Sequence, residues 1–376
     1  MNILHLTHTD TRFDNRILKE IGALSDTKLY NILCIGVASV ERAAMSNSIP
    51  DAKILTLSLI TKMPKWVPRP IRHTLMLTEL YLRFTVLGIR HKAKIVHCHD
   101  TMVLGIGVII KLISKSKLIY DAHELESNKN GQSKILSKAT LYIEKACWSY
   151  VDHLISVSDS IIEWYNDNLG AKKSTLILNS PLIKSSEVKK GNYFHHLYDI
   201  KPSKLVFIYL GILGRGRGID LILEAFCDEK IESHIVFVGY GEFEKKIFDI
   251  AQIENNIHLH EAVPHEDVVS LVASADVGLC LIENVSLSDY YCLPNKLFEY
   301  AFAGLPILTS DFPDITKMVH RYNLGKVCSV SSKSILSTIK EIEMKPLDRP
   351  SSDLTELGWH KQAERLIHSY GMNLNN

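Results

Sequence analysis

The segment PNKLFEYAFAGLPILTS, Pro294 to Ser310, gathers polar side chains at the start of an otherwise apolar unit. Pro294 has the fixed φ that suits a first helical turn, and Leu297, Phe298, Ala301 and Phe302 recur at helical spacing. Gly304 can close that helix and Pro306 cannot continue it. Asn295, Lys296 and Glu299 therefore lie in its first two turns. Unpaired N–H groups and the dipole at a helix start favour a phosphate. A carboxylate one turn further in is placed to accept hydrogen bonds from a ribose. The plainer alternative is a surface pair of Lys296 with Glu299 at i,i+3. The loop GILGRGRGID, Gly211 to Asp220, offers the same chemistry. Gly214 and Gly216 let backbone approach an anion, and Arg215 and Arg217 present forked donors to a diphosphate. Its plainer alternative is a tight solvent turn.

Three stretches in the first half carry other chemistry. His123, in KLIYDAHEL, follows a strand. It can donate to a bound sugar or relay a proton, or simply pair with Asp121 or Glu124. In HCHD, His97 to Asp100, a period of two puts His97 and His99 on one face. No third metal ligand stands at a telling spacing, so a polar cluster is preferred over a metal site. THTDTRFDNR holds Asp10, Arg12, Asp14 and Arg16, which form either a solvated loop with a helix cap or the lining of a cleft.

These residues need strand ends and helix starts to hold them. The first half alternates strands (2–6, 32–37, 53–57, 95–99, 118–121, 153–157, 175–178) with helices (14–25, 101–113, 134–150, 159–168). The second half restarts the pattern with strands at 205–210, 234–239, 257–260, 277–282 and 306–309. Such alternation implies an α/β protein with two doubly wound parallel sheets. We expect a first domain over 1–183, a polar linker over 184–203 and a second domain over 204–353. A terminal helix within 354–376 is expected to complete the first domain, and ligands are expected between two sheet edges.

Hydrophobic residues make up 46% of the 376, which fits a soluble globular protein large enough for two cores. The seven cysteines are scattered and form no CxxC pair, which argues for a reducing compartment and against a disulfide or zinc framework. The first residues, MNILHLTH, read as a strand and not as a secretion signal. The longest apolar run, Met102 to Ile113, is too short to span a bilayer. The net charge of +1 hides a split: residues 1–185 carry 24 Lys+Arg against 16 Asp+Glu, and residues 186–376 carry 19 against 26. Eight of the basic residues fall between Lys62 and Lys94, interleaved with Trp66, Leu75, Leu80 and Phe84. That pattern suits either an anionic membrane surface or a core helix with a basic outer face. No nucleic-acid-binding module is present.

Together, PNKLFEYAFAGLPILTSD, YLGILGRGRGIDLILEAF and LIYDAHEL, with LISVSDSI and FVGYGE, resemble the retaining, nucleotide-sugar-dependent glycosyltransferases of family 4. The resemblance runs through almost the whole chain and implies the GT-B fold, with the donor bound by the second domain and the acceptor by the first. It puts the ribose carboxylate at Glu299, the phosphate-binding base at Arg217 and the catalytic-site histidine at His123. It also makes Lys296 a basic residue common where KLFEY occurs. The arginine usual after the loop's first glycine is here Ile212, for which Arg215 can compensate. The glutamate common eight residues before Glu299 is Tyr291. HTDTRFDNR replaces a glycine-rich turn, so Asp10, Arg12, Asp14 and Arg16, with His99, are assigned to the acceptor side. The implied donor is a nucleoside-diphosphate sugar, with no cofactor and no metal. The implied acceptor is a lipid-linked saccharide in surface polysaccharide synthesis, met at the cytoplasmic membrane face through 62–94, with no nucleic acid as partner. A non-catalytic nucleotide-sugar-binding subunit, or an epimerase or hydrolase on the same fold, stands as the alternative.

Overall fold

The computed structural model describes residues 1–39, 49–62, 68–182, 191–264 and 266–374. Lys65, Trp66 and residues 184–190 of the expected linker lie outside this set.

Short runs of Ile, Leu and Val that are buried on both faces form parallel strands, since only sheets covered on both sides tolerate them. The first seven are β1 (Asn2–Leu6), β2 (Asn31–Val37), β3 (Ala52–Leu57), β4 (Ile95–His99), β5 (Lys117–Ala122), β6 (His153–Ser156) and β7 (Lys173–Leu176). They form one sheet in the order β3-β2-β1-β4-β5-β6-β7. The next six are β8 (Val206–Leu210), β9 (His234–Val238), β10 (Ile257–His260), β11 (Val277–Cys280), β12 (Ile307–Ser310) and β13 (Gly325–Cys328). They form a second sheet, β10-β9-β8-β11-β12-β13. All neighbours pair in parallel, as in β1 with β4, where His5 stands opposite His97.

Contacts divide the chain into two units, Met1–Ile177 with Gln362–Asn376, and Leu178–Lys361. Each sheet reverses its winding once, between β1 and β4 in the first unit and between β8 and β11 in the second. Open parallel sheets leave a crevice for ligands at such points, beyond the carboxyl ends of the strands. Packing fixes those ends: Ile3, Val96, Leu104 and Leu118 are fully buried in the first unit, and Phe207, Tyr209, Ile222 and Phe237 in the second.

Several boundaries differ from the sequence reading. The last strand of the first sheet is Lys173–Leu176 and not 175–178. Ile177 and Leu178 are buried beyond the ladder, and their apolarity drew the expectation onward. The linker reading of 184–203 gives way at its far end, where the helix Tyr193–Leu197 forms and Phe194 and Ile200 are buried. β13 was not foreseen; it is short and only Cys328 is buried, so it lacks a strong apolar run. The tail forms a 3-10 turn, Thr355–Leu357, and then the helix Trp359–Leu374.

The segment 62–94 contains the helix Arg69–His91. Leu80 and Phe84 are buried in it, whereas Ile71, Leu75, Leu82 and Val86 are exposed. Glu79, its one acid, accepts from the Ile60 and Thr61 amides and pairs with Arg83. Among the described residues no helix is long and apolar enough to cross a membrane.

Candidate functional site

In the second unit the loop after β8 and the loop after β9 cross backbone to backbone. A Cβ on Gly239 would stand 1.9 Å from the carbonyl oxygen of Gly211, so no side chain fits there. Gly211 itself has φ 118°, a region open to glycine. This contact forms one wall of a cavity of about 470 Å³, lined also by Arg217, Asn295, Lys296 and Glu299. The Gly loop is tied down from the β11 side: Gly218 N–H donates to Glu283 at 3.1 Å, and Glu283 N–H donates to Gly216 at 3.1 Å. It then runs into the helix Ile219–Phe226.

Lys296 belongs to the helix Asn295–Phe302, which Pro294 precedes as expected. Its ammonium rests over the Tyr209 ring, 3.7 Å from the centroid. Nζ is buried and has no hydrogen-bond partner among the described residues. A buried ammonium without a hydrogen-bond acceptor is costly, and the cation–π contact offsets only part of that cost. Glu299 is 7% exposed and Asn295 is exposed at the rim. Arg217 lines the cavity and pairs with the buried Asp289, Nη1 to Oδ1 at 3.7 Å. The helix start and the two cations make the opening suited to an anion.

Other expected donor residues stand elsewhere. Arg215 is outside the lining; its side chain is 83% exposed and pairs with Glu242 at 3.7 Å. Gly214 lies beside Glu242, and Gly216 serves the tie to Glu283. Tyr291 caps the short helix Leu287–Tyr290 and is not in the lining. The sequence reading missed Tyr209, Gly239 and Asp289. The glycines of FVGYGE after β9 were the available signal for Gly239.

The first unit is different in kind. Asp121, at the end of β5, receives the guanidinium of Arg16 at 3.0 and 3.3 Å, and both are buried. Arg16 also donates to the Ile177 carbonyl at 3.0 Å and pairs with Glu20 at 3.1 Å. His123 lies two residues on, its Nε2 donating to Asp121 Oδ2 at 3.0 Å and its Nδ1 facing Asp100 at 3.8 Å. Burial opposes its charge, but Asp121 and then Asp100 outweigh burial and lift its pKa to about 10. His123 is therefore an imidazolium at neutral pH, with a side chain 18% exposed.

Behind it, His5, His97 and His99 are fully buried on β1 and β4. Burial, with mutual repulsion, holds all three pKa values down, that of His97 to about 3. A chain of contacts links them. His123 Nε2 lies 3.2 Å from His99 Nδ1, and His99 Nε2 lies 3.0 Å from His5 Nδ1. His5 Nε2 lies 3.2 Å from the Tyr370 hydroxyl, which is 2.6 Å from His97 Nδ1. His97 Nε2 then faces Asp121 at 3.6 Å and Glu20 at 3.9 Å. Burial and then the charge of Asp121 raise Glu20 to about 8, against Arg16.

The sheet thus supplies the further ligand atoms that sequence spacing does not. His5, Glu20, His97 and His99 offer atoms within 4.8 Å of one another, as do His99, Asp121 and His123. Stacking argues against a shared ion in the first set. The His97 and His99 rings lie 4.3 Å apart at 18°, so their in-plane lone pairs run side by side. Zinc ligands instead converge, each nitrogen about 2.0–2.1 Å from the ion.

Of the expected acceptor-side residues, Arg16 and His99 join this buried network. Asp10 and Arg12 form a two-bonded local pair, and Asp10 also accepts the Ser39 amide. Asp14 caps the helix Asn15–Asp26 through the Ile17 amide, which matches the plainer of the two readings of that loop. Glu20, Asp100 and Tyr370 were not foreseen.

Residues 204–342 match the family described as Glycosyl transferases group 1, and residues 43–180 match Glycosyltransferase Family 4. No curated protein matches the chain. Solved structures share its fold end to end. Sucrose-phosphate synthase from Thermosynechococcus elongatus is 13% identical, covering 100% of this chain and 99% of its own, with a TM-score of 0.79. HepE from Anabaena, in complex with UDP-glucose, is 13% identical, covering 99% and 100%, at 0.72. WaaG, a glycosyltransferase involved in lipopolysaccharide biosynthesis, is 14% identical, covering 97% and 94%, at 0.63. With one family match in each unit and the two-sheet architecture in common, the chain belongs to the group 1 and family 4 glycosyltransferases of the GT-B fold.

Proposed function

We propose that the protein transfers a sugar with retention from a nucleoside-diphosphate sugar, the second unit binding the donor. The observation that carries this reading is Lys296, a buried ammonium that lacks a hydrogen-bond acceptor and borders a cavity at a helix start. A diphosphate supplies the missing acceptor. Lys296, Arg217 and the helix dipole stabilise the charge that grows on the departing diphosphate, the main electrostatic task of the reaction. These cations do that work without a metal ion. Glu299 receives the ribose hydroxyls. His123, charged and partly exposed, donates to a hydroxyl of the transferred sugar. UDP is the first probe, since HepE has been solved with UDP-glucose. Calorimetry is expected to show UDP binding weakened by about 1.5–3 kcal/mol in Arg217→Ala, the scale of a charge-assisted hydrogen bond. Unchanged affinity removes Arg217 from the site. His123→Ala is expected to keep UDP binding and lose turnover; transfer at the wild-type rate ends the catalytic assignment.

The acceptor in this reading is a lipid-linked saccharide of surface polysaccharide synthesis, met at an anionic membrane face. Support comes from the basic first half and from the exposed Ile71, Leu75, Leu82 and Val86 on the helix that also carries Arg72 and Arg90. Each basic residue near such a surface contributes about 1 kcal/mol. Co-sedimentation with anionic vesicles at low salt, lost when Lys62, Lys65, Arg69 and Arg72 become glutamate, is the expected result. Equal recovery with neutral vesicles returns the helix to the plain core reading.

A further inference from the structure

A neutral histidine has one N–H and one lone pair, and a tyrosine hydroxyl donates once. The chain from His123 to His97 can therefore run in only two proton orders. In one, His99, His5 and His97 all carry their proton on Nε2. In the other, all three carry it on Nδ1.

The two ends choose between them. His97 Nε2 faces the Asp121 carboxylate at 3.6 Å, so a bare lone pair there is repelled and an N–H attracted; Glu20, 3.9 Å away and raised to about 8, is mostly protonated at neutral pH and adds little charge. At the other end, the charged His123 brings an N–H to within 3.2 Å of His99 Nδ1. A second N–H on that nitrogen would oppose it and would compete for Asp121 Oδ2, which lies 3.4 Å from His99 Nδ1 and 3.0 Å from His123. The His97 end selects the Nε2 order; at the His99 end Asp121 Oδ2 also attracts an N–H, but the charged His123, which already holds that oxygen at 3.0 Å, tips the balance the same way. His5 and His99 join β1 to β4 directly, and the Tyr370 hydroxyl is the link among the described residues that ties them to His97, donating to His97 Nδ1 and accepting from His5 Nε2.

We propose that Tyr370 is a positioning residue for His123: its hydroxyl holds the proton of His99 on Nε2 and so reserves Asp121 Oδ2 for His123. Without the hydroxyl, His5 and His99 can switch tautomer, and a His99 Nδ1–H then takes up part of the carboxylate that keeps His123 charged. The other groups acting on His123 are Asp100, which supports its charge, and Arg16, which opposes it. Glu20, Glu126, His8 and His97 also feel its charge.

The test is histidine-side-chain nitrogen NMR on the full chain. In the wild type, His5, His97 and His99 are expected with the proton on Nε2, and His123 doubly protonated at pH 7. In Tyr370→Phe, mixed tautomers are expected at His5 and His99, and the His123 titration moves down by on the order of one pH unit. A wild-type His99 protonated on Nδ1 overturns the proposal, as does a Tyr370→Phe protein with wild-type tautomers and His123 titration. The wild-type spectrum decides even if the variant does not fold. A link to turnover rests on the proposed role of His123 in sugar transfer. If the NMR result holds and the alkaline limb of the pH–rate profile does not follow the His123 titration, that role fails and the positioning stands.

Discussion

At the β1/β4 switch point the charges answer one another within the protein. Arg16 faces Asp121 and Glu20, and His123 faces Asp121 and Asp100. At the β8/β11 switch point the same strand order leads to a different end. Lys296 has an aromatic face but no hydrogen-bond acceptor, and it borders an open cavity. At the first edge each cation has an acidic partner, although Glu20, His97 Nε2 and Asp100 Oδ1 lack hydrogen bonds among the described residues; at the second the buried ammonium has no acceptor. Topology places both edges, and the side chains decide how much of their charge is matched within the protein.

The contrast predicts that the two edges respond oppositely when a cation is removed. Arg16→Met removes one of the two cations facing buried Asp121, leaving His123 alone, and takes away the ion partner of Glu20. Breaking a buried pair in this way costs about 3–5 kcal/mol, to be read as a fall in unfolding free energy in urea. A cost under 1 kcal/mol would mean that the first unit is not electrostatically closed. Lys296→Met acts on the other edge. It is expected to weaken UDP binding by about 1.5–3 kcal/mol while leaving the ligand-free protein as stable or more stable, since a poorly satisfied buried ammonium is gone. A loss of both affinity and stability would make Lys296 a structural residue.

Acid probes the buried histidines. Below the ordinary value of 6.5 the unfolded chain protonates at His97, whereas the folded chain resists until about 3. His97 therefore contributes stability above pH 6.5 that is lost progressively as pH falls through that window. Glu20 and Glu126, raised to about 8, act in the opposite direction, so a variant is needed to isolate the effect. Between pH 6.5 and 5, His97→Asn is expected to lose less stability than wild type, by a slope that rises to about 1.4 kcal/mol per pH unit. Parallel curves would show that His97 is not held neutral. The smallest effect is expected at Arg217→Met, whose half-exposed pair with Asp289 contributes no more than about 1 kcal/mol to folding. A larger loss would move Arg217 from ligand binding to structure.

Much of the second site was legible in the sequence, because its parts are local. Pro294 to Glu299 form a helix start, and the Gly/Arg loop lies between a strand and a helix, so short-range rules reach them. Arg215 shows the limit: its spacing matched Arg217, but its side chain lies in solvent beside Glu242 and outside the cavity lining. The first site was legible only in fragments. HCHD, YDAHEL and TDTRFDNR each carry members of one network, yet β1, β4 and β5 are joined only by the parallel sheet. No local pattern says that Arg16 meets Asp121, 105 residues away, or that His5 meets Tyr370, 365 residues away.

That last separation has a consequence in time. A ribosome delivers His5, His97, His99 and His123 long before it adds Tyr370. Until then no hydroxyl joins His5 to His97, and on the proposed coupling the proton order behind His123 is not set. On the proposed coupling, the surroundings of His123 are therefore set only after the whole second unit has been made. A chain cut within that unit carries the four histidines without the hydroxyl proposed to order them.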